Sequence, residues 1–168
     1  LNILENLDID KFQHNSEEYL MNLISAMDYA FFDRAKYLGD PDFFNVPQEL
    51  LISKQYAKDI SVKIKNKEEL QKIKITVSES EETTHFSIVD KWGNAVSNTY
   101  TLNTAYGSGI VPTGTGILMN NEMDDFSSKP GSPNVYGLIG SEANKIEPKK
   151  TPLSSMTPVI VFKEDKPF

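Results

Sequence analysis

The chain has 168 residues, 39% hydrophobic and 24% charged, with a formal net charge of -7. That is globular composition with enough apolar residues for one sizeable core, and its acidity excludes nucleic acid or an anionic membrane surface as main partner, because neutralising phosphates needs clustered Lys and Arg. Without cysteine, disulfides, thiolate catalysis and Cys-based zinc sites are excluded, and His14 and His85 are the only imidazoles.

The opening LNILENLDID has no initiator Met, charged n-region or apolar h-region, and the closing VIVFKEDKPF stops where a strand begins, so a fragment at both ends is expected. From Ser16 the apolar positions Tyr19, Leu20, Leu23, Ile24, Met27, Phe31 and Leu38 recur at helical spacing. Ser16 is the expected N-cap, with Glu17 and Glu18 in the first turn. Gly39 stands at the C' position, and GDPD stops the helix. Pro47 is expected to open a second helix to about Ile60. The lysine-rich tract Lys54 to Lys74, interleaved with Asp59, Glu68 and Glu69, reads as a solvated helix and linker, extended up to Glu82.

After Glu82 lysines thin out, and β-branched residues, glycine and asparagine take over. TTHFSIVD reads as a buried strand, paired through the turn KWGN with AVSNTYTL. TGILMN and SSMTPVIVF read as two more strands, with a Gly- and Pro-rich loop from Phe126 to Gly140 between them. A turn centred near Trp92 or Gly93 puts Thr83 opposite Thr101 or Leu102. Strand alternation then puts Thr99, Thr101 and Asn103 on one face, so Thr101 and Asn103 return to the neighbourhood of Thr83.

Blander readings hold elsewhere. His85 reads as a packed or hydrogen-bonded strand residue, and NNEMDD lacks the alternating oxygen ligands and glycine of a calcium loop. GSG (Gly107 to Gly109) and GTG (Gly114 to Gly116) lack the Lys-Ser/Thr of a phosphate loop and read as flexible turns. Trp92 is a partly exposed turn aromatic.

A threonine hydroxyl needs a base beside it to act as a nucleophile, and its own α-amino group serves if the bond before it is cut. That amine has a reference pKa of about 7.7–8.0, close to working pH, so it can take and return a proton.

At this point the sequence resembles the γ-glutamyltranspeptidases, N-terminal-nucleophile hydrolases. The resemblance is carried by DRAKYLGDPDF (Asp33 to Phe43), TTHFSIVDKWGNAVSNTYTLN (Thr83 to Asn103), NNEMDDFSSKPGSPNVYGLIG (Asn120 to Gly140) and PLSSMTP (Pro152 to Pro158). It implies an α/β fold of the layered αββα type, present here as a fragment. Residues 1–82 would end a large subunit and residues 83–168 begin a small catalytic one. It further implies self-cleavage between Glu82 and Thr83, with Thr83 as nucleophile and Thr101 as the second hydroxyl that activates it. Asn103, Glu122 and Asp125 would hold the α-amino and α-carboxylate ends of a γ-glutamyl donor, Ser154 and Ser155 would offer hydroxyls to the carboxylate, and Tyr136 would sit in a lid loop at about Pro130 to Ser141. Acidic Asp125 and Glu122 suit an ammonium.

The implied activity is γ-glutamyl hydrolysis or transfer, from donors such as glutathione to water, amino acid or peptide acceptors, with no cofactor. Export to a periplasmic or extracellular space is implied too. The family's oxyanion-hole glycine pair and substrate-clamping arginine do not fall within this sequence. Two rivals are a sister enzyme, such as a poly-γ-glutamate depolymerase or cephalosporin-type acylase, and a non-enzymatic unprocessed relative or interaction fragment. The lid-like KPGSPNVYGLIG argues against the depolymerase.

Overall fold

A computed structural model of the chain describes residues 1–68, 70, 83–134, 137 and 139–167. These fall into two compact units. One is drawn from Leu1–Thr76 and Ser127–Thr151, the other from Val77–Phe126 and Pro152–Phe168.

The first unit is built on α1 (Glu17–Tyr37). Ser16 caps it in extended backbone, its Oγ accepting from Tyr19 N at 3.2 Å, while Glu17 and Glu18 at the start and Arg34 and Lys36 at the end complement the helix dipole. The helix stops at Leu38, as the sequence indicates, but Gly39 is not left-handed. A Cβ there would lie 2.1 Å from the Ala143 carbonyl oxygen, so close backbone approach is what the glycine provides.

The helix expected from Pro47 to about Ile60 is instead two, α2 (Gln48–Leu51) and α3 (Lys54–Lys65). Ser53 is the reason: its Oγ accepts from Tyr56 N at 3.1 Å, and this cap starts a new helix. Ala57, Ile60 and Ser61 form the buried stripe of α3, which packs against α1, whose buried residues are Ala26 and Tyr29. Across that contact the Tyr56 hydroxyl donates to both Asp33 oxygens, at 2.9 and 3.1 Å. Burial pushes the Asp33 carboxyl up, partly offset by that bond, and burial with the adjoining carboxylate also raises the Tyr56 phenol. The apolar positions of α1 are largely open: Leu20, Ile24, Met27 and Phe31 are exposed. No described helix is long and apolar enough to cross a membrane.

Residues 127–151 complete this unit. Ser127 N donates to Asn144 O at 2.8 Å, and Gly131 N to Gly140 O at 2.9 Å, closing a loop across which Pro133 bridges Ile139. A Cβ at Gly140 would lie 1.9 Å from Ser127 Oγ, so that side chain would have to shift to admit one.

The second unit contains the hairpin of β1 (Thr84–Val89) and β2 (Ala95–Tyr100), antiparallel from Thr84↔Tyr100 to Val89↔Ala95. Its turn uses Gly93 at φ 86°, with Gly93 N on Asp90 O at 3.1 Å and Asp90 N on Asn94 O at 2.9 Å. This is a three-residue loop in which only glycine takes the left-handed position without strain. The Asp90 carboxylate accepts from Asn94 Nδ2 and from the amides of Asn94 and Trp92, and those bonds hold it below the usual carboxylate range.

β1 is exposed throughout rather than buried. The strand expected over TGILMN is irregular, joined to residues 108–110 by Ser108 N to Met119 O and Met119 N to Ile110 O, each 2.9 Å, and by Ser108 Oγ to Met119 O at 3.1 Å. Within SSMTPVIVF, strand is assigned among the described residues at Phe162, in a second two-stranded sheet of β3 (Phe162–Lys163) and β4 (Lys166–Pro167). A strand is defined by its ladder, and apolar alternation without a described partner gives only extended chain. The molecule is thus mixed helix and strand, with two two-stranded sheets among the described residues.

Candidate active site

Extending the hairpin register by one pair puts Thr83 opposite Thr101, as the turn position predicts. Their hydroxyl oxygens lie 3.2 Å apart, with Thr83 exposed and Thr101 half-buried. Period-two alternation then gives one face of the hairpin a polar character, with Thr83, His85 and Ser87 opposite Thr101, Thr99 and Ser97. His85 Nδ1 lies 2.6 Å from Thr99 Oγ1, its Nε2 is 3.2 Å from Ser87 Oγ, and Ser87 bonds Ser97 at 3.3 Å. This is the hydrogen-bonded strand histidine expected from the sequence.

Beyond Thr101 the strand ends, and Asn103 does not continue its alternation. Asn103 is left-handed, at φ 77°, which Asn tolerates better than most residues. The reversal directs its backbone amide back to Thr101 Oγ1, at 2.9 Å. Asn103 therefore reaches the threonine pair through its amide rather than through a shared strand face. Thr101 Oγ1 thus accepts from both the Thr83 hydroxyl and the Asn103 amide.

Asn121 anchors this corner. Its N–H donates to Leu102 O at 3.2 Å, its backbone oxygen accepts from Asn103 Nδ2 at 3.3 Å, and its Oδ1 takes Thr104 N at 3.2 Å. The sequence reading missed Asn121. The available signal was the Asn120-Asn121 pair ahead of the acidic run, because Asn side chains bond nearby backbone where the chain turns. A short 3-10 turn, Glu122–Asp125, follows directly, with Glu122 N on Asn120 Oδ1 at 3.1 Å, so Glu122 and Asp125 leave from a fixed point beside Asn103.

Thr83, Thr101 and Asn103 are thus brought together, with Glu122 adjoining through Asn121. Ser154 and Ser155 lie in the extended segment after Pro152, where Ser154 Oγ accepts from Met156 N at 3.0 Å. No hydrogen bond among the described residues joins these serines to the threonine pair. Tyr136, Glu82 and hence the bond expected to be cut lie outside the described residues.

Thr83 stands immediately before β1 with a second hydroxyl, that of Thr101, in hydrogen-bond reach. The gamma-glutamyltranspeptidase family model matches residues 1–168, so the chain belongs to that family. Among curated relatives, the glutathione hydrolase proenzyme of Escherichia coli (strain K12) is 53% identical over 171 residues, covering 99% of this chain and 30% of the relative. The proenzyme of the same description from Bacillus subtilis (strain 168) is 36% identical over 186 residues, with the same two coverages. An acylase proenzyme, ACY 1 of a Pseudomonas species, is 35% identical over 171 residues, covering 99% of this chain and 28% of its own length. The chain spans about 30% of the length of the glutathione hydrolase relatives it matches. Among solved structures, a mutant Helicobacter pylori gamma-glutamyltranspeptidase shares 62% identity at a TM-score of 0.49, covering 51% of this chain and 46% of that one. The Pseudomonas nitroreducens gamma-glutamyltranspeptidase complexed with L-DON shares 64% at 0.48, covering 50% and 44%.

Proposed function

We propose that the protein containing this chain cuts itself between Glu82 and Thr83 and uses the freed Thr83 to transfer or hydrolyse γ-glutamyl groups, glutathione among them. The observation that carries this reading is the pair of threonine hydroxyls 3.2 Å apart, the second of them taking the Asn103 amide. Relatives described as glutathione hydrolases at 48–53% identity, against 35% for the acylase, favour a γ-glutamyl donor over the acylase rival.

In the proposed reaction the new α-amine of Thr83 takes the proton of its own hydroxyl as Oγ1 attacks the donor's γ-carbonyl. Thr101 Oγ1 accepts from the Thr83 hydroxyl in the resting state and holds it in place. The tetrahedral intermediate collapses to a γ-glutamyl ester on Thr83, and the ammonium returns its proton to the leaving amine, which for glutathione is cysteinylglycine. Water or an acceptor amine then attacks the ester, giving glutamate or a new γ-glutamyl amide. Asp125 and Glu122 supply negative charge for the donor's ammonium, and Ser154, Ser155 and Asn103 supply donors for its carboxylate, with Tyr136 in the lid. An exported location accords with this role.

Incubation of the full-length protein followed by intact-mass and N-terminal analysis should show a new chain beginning at Thr83. Thr83→Ala should leave a single chain and abolish release of nitroaniline from γ-glutamyl-p-nitroanilide. Equal turnover by that variant would remove Thr83 from the reaction, whereas an uncut wild-type chain would favour the non-enzymatic rival.

A further inference from the structure

We propose that His85 is a positioning residue for Thr83, holding the head of β1 against β2 through its bond to Thr99 once self-cleavage has made Thr83 a chain end. This rests on the γ-glutamyl reading above. Every group involved stands on one hairpin of the second unit. Behind Thr83 and Thr101 the next pair on the same face is His85 with Thr99, and the one after it Ser87 with Ser97. Same-face neighbours along a strand are about 7 Å apart, so each pair forms a rung one step from the last.

The imidazole joins these rungs. Its Nδ1 crosses the hairpin to Thr99 Oγ1 at 2.6 Å, and its Nε2 lies 3.2 Å from Ser87 Oγ on its own strand and 3.5 Å from Ser97 Oγ on the other. A hydroxyl both donates and accepts, so Thr99 and Ser87 match the ring in either tautomer of the neutral imidazole. The ring nitrogens are thus taken up by Thr99, Ser87 and Ser97 rather than by Thr83, and His85 acts through the alignment of two strands, not as the base.

Self-cleavage changes what Thr83 needs. In the uncut chain it is held covalently on both sides; in the cut chain it is the terminus, one residue before β1, and chain ends fray unless tied down. The residues of β1 are exposed, so burial does not pin its head in this chain. Thr83 then faces Thr101 across 3.2 Å only while the open end of the hairpin stays closed. A cross-strand side-chain pair opposes opening at its own position, and His85 with Thr99 is the first rung behind the nucleophile. Its bond is also shorter than those of the rungs on either side, at 3.2 and 3.3 Å. Displacement of a reacting group by about 1 Å costs an enzyme heavily, which gives this rung its leverage.

The test compares His85→Asn, His85→Gln and Thr99→Val in the full-length protein. Asn carries its polar atoms at the δ position, where Nδ1 meets Thr99, and Gln carries them at the ε position, where Nε2 meets Ser87. Valine keeps the branched shape of Thr99 and removes its hydroxyl. In His85→Gln and in Thr99→Val, kcat for γ-glutamyl-p-nitroanilide should fall about three- to tenfold, the scale of one hydrogen bond, with KM within about twofold. His85→Asn should keep at least about half of the wild-type kcat. Added to Thr99→Val, His85→Gln should lower kcat by less than about twofold more, because the bond it would break is already gone. Unchanged kcat in His85→Gln, equal losses in the Asn and Gln variants, or fully additive losses in the double variant overturn the proposal. Hydrogen exchange in the cleaved protein is a second readout: in His85→Gln the amides of Phe86 and Tyr100, toward the open end, should quicken about threefold or more, while those of Ile88 and Val96, nearer the turn, stay within about twofold. Unchanged exchange at Phe86 and Tyr100 overturns the rung whatever the kinetics. If the wild type cuts itself but releases no nitroaniline, the γ-glutamyl reading fails by itself, while exchange at the open end still reports on His85.

Discussion

At the scale of single residues, Thr101 is a small group with a large expected effect. Its oxygen accepts the Asn103 amide at 2.9 Å and the Thr83 hydroxyl at 3.2 Å. Serine preserves both bonds and removes only a methyl, whereas alanine removes both and leaves the Asn103 N–H without this acceptor. Thr101→Ala should therefore lower kcat on γ-glutamyl-p-nitroanilide by about tenfold to a hundredfold, the scale of a hydrogen bond worth about 1.5–3 kcal/mol, and Thr101→Ser should recover most of it. A loss confined to KM would mean that Thr101 shapes donor binding rather than the nucleophile. The partner of Thr83 was legible to within one residue, Thr101 or Leu102, because hairpin register follows from turn position. The role of Asn103 was legible only as proximity. Its left-handed backbone is a local choice made by the bonds of Asn121, and strand alternation carries no sign of it.

At the scale of elements, the corner holding Glu122 and Asp125 depends on two irregular segments lying against each other, 104–110 and 119–121. Gly107 makes that approach possible, since a Cβ there would meet Met119 O at 2.2 Å and Asn120 Cα at 2.9 Å. Gly107 N bonds Thr104 O, and Ser108 N bonds Met119 O, each at 2.9 Å. The GSG stretch is thus a packed turn with a steric reason for its first glycine. Gly107→Ala combines a collision with backbone and a left-handed residue at φ 51°; Gly114, at φ 83° with open space around it, isolates the second effect. In the full-length protein Gly107→Ala should lower the unfolding temperature clearly more than Gly114→Ala, whose strain alone is about 1 kcal/mol. Equal losses would show that the close approach carries no stability. The element boundaries follow the same logic of local versus distant cause. Ser16 as cap and the stop after Tyr37 were legible because the signals act within one helical turn. Ser53 carries the same signal within one turn, but it lies inside a helix-like pattern and was read through. The extended segment after Pro152 has the composition of a strand, and composition does not say whether a neighbour exists to pair with it.

At the scale of the whole molecule, apolar surface outweighs what so few contacts can cover. Leu20, Ile24, Met27 and Phe31 on α1, Phe86, Ile88 and Val96 on the hairpin, and Val159 to Phe162 are all exposed. Soluble proteins rarely leave contiguous apolar areas of that kind open, and a two-stranded hairpin alone is marginal in water. The first unit is better placed, since α1 and α3 bury Ala26, Tyr29, Ala57 and Ile60 between capped helices. Stability should therefore be uneven when the 168-residue chain is studied by itself. Hydrogen exchange should show the amides of α1 and α3 protected and those of β1 and β2 exchanging orders of magnitude faster, while 8-anilinonaphthalene-1-sulfonate gains fluorescence on the open apolar surface. In a longer chain whose self-cleavage has been verified, the same β1 and β2 amides should become protected, because the threonine pair cannot hold 3.2 Å on a hairpin that opens freely. Equal protection of hairpin and helices in the 168-residue chain would show that the candidate site is organised by these residues alone.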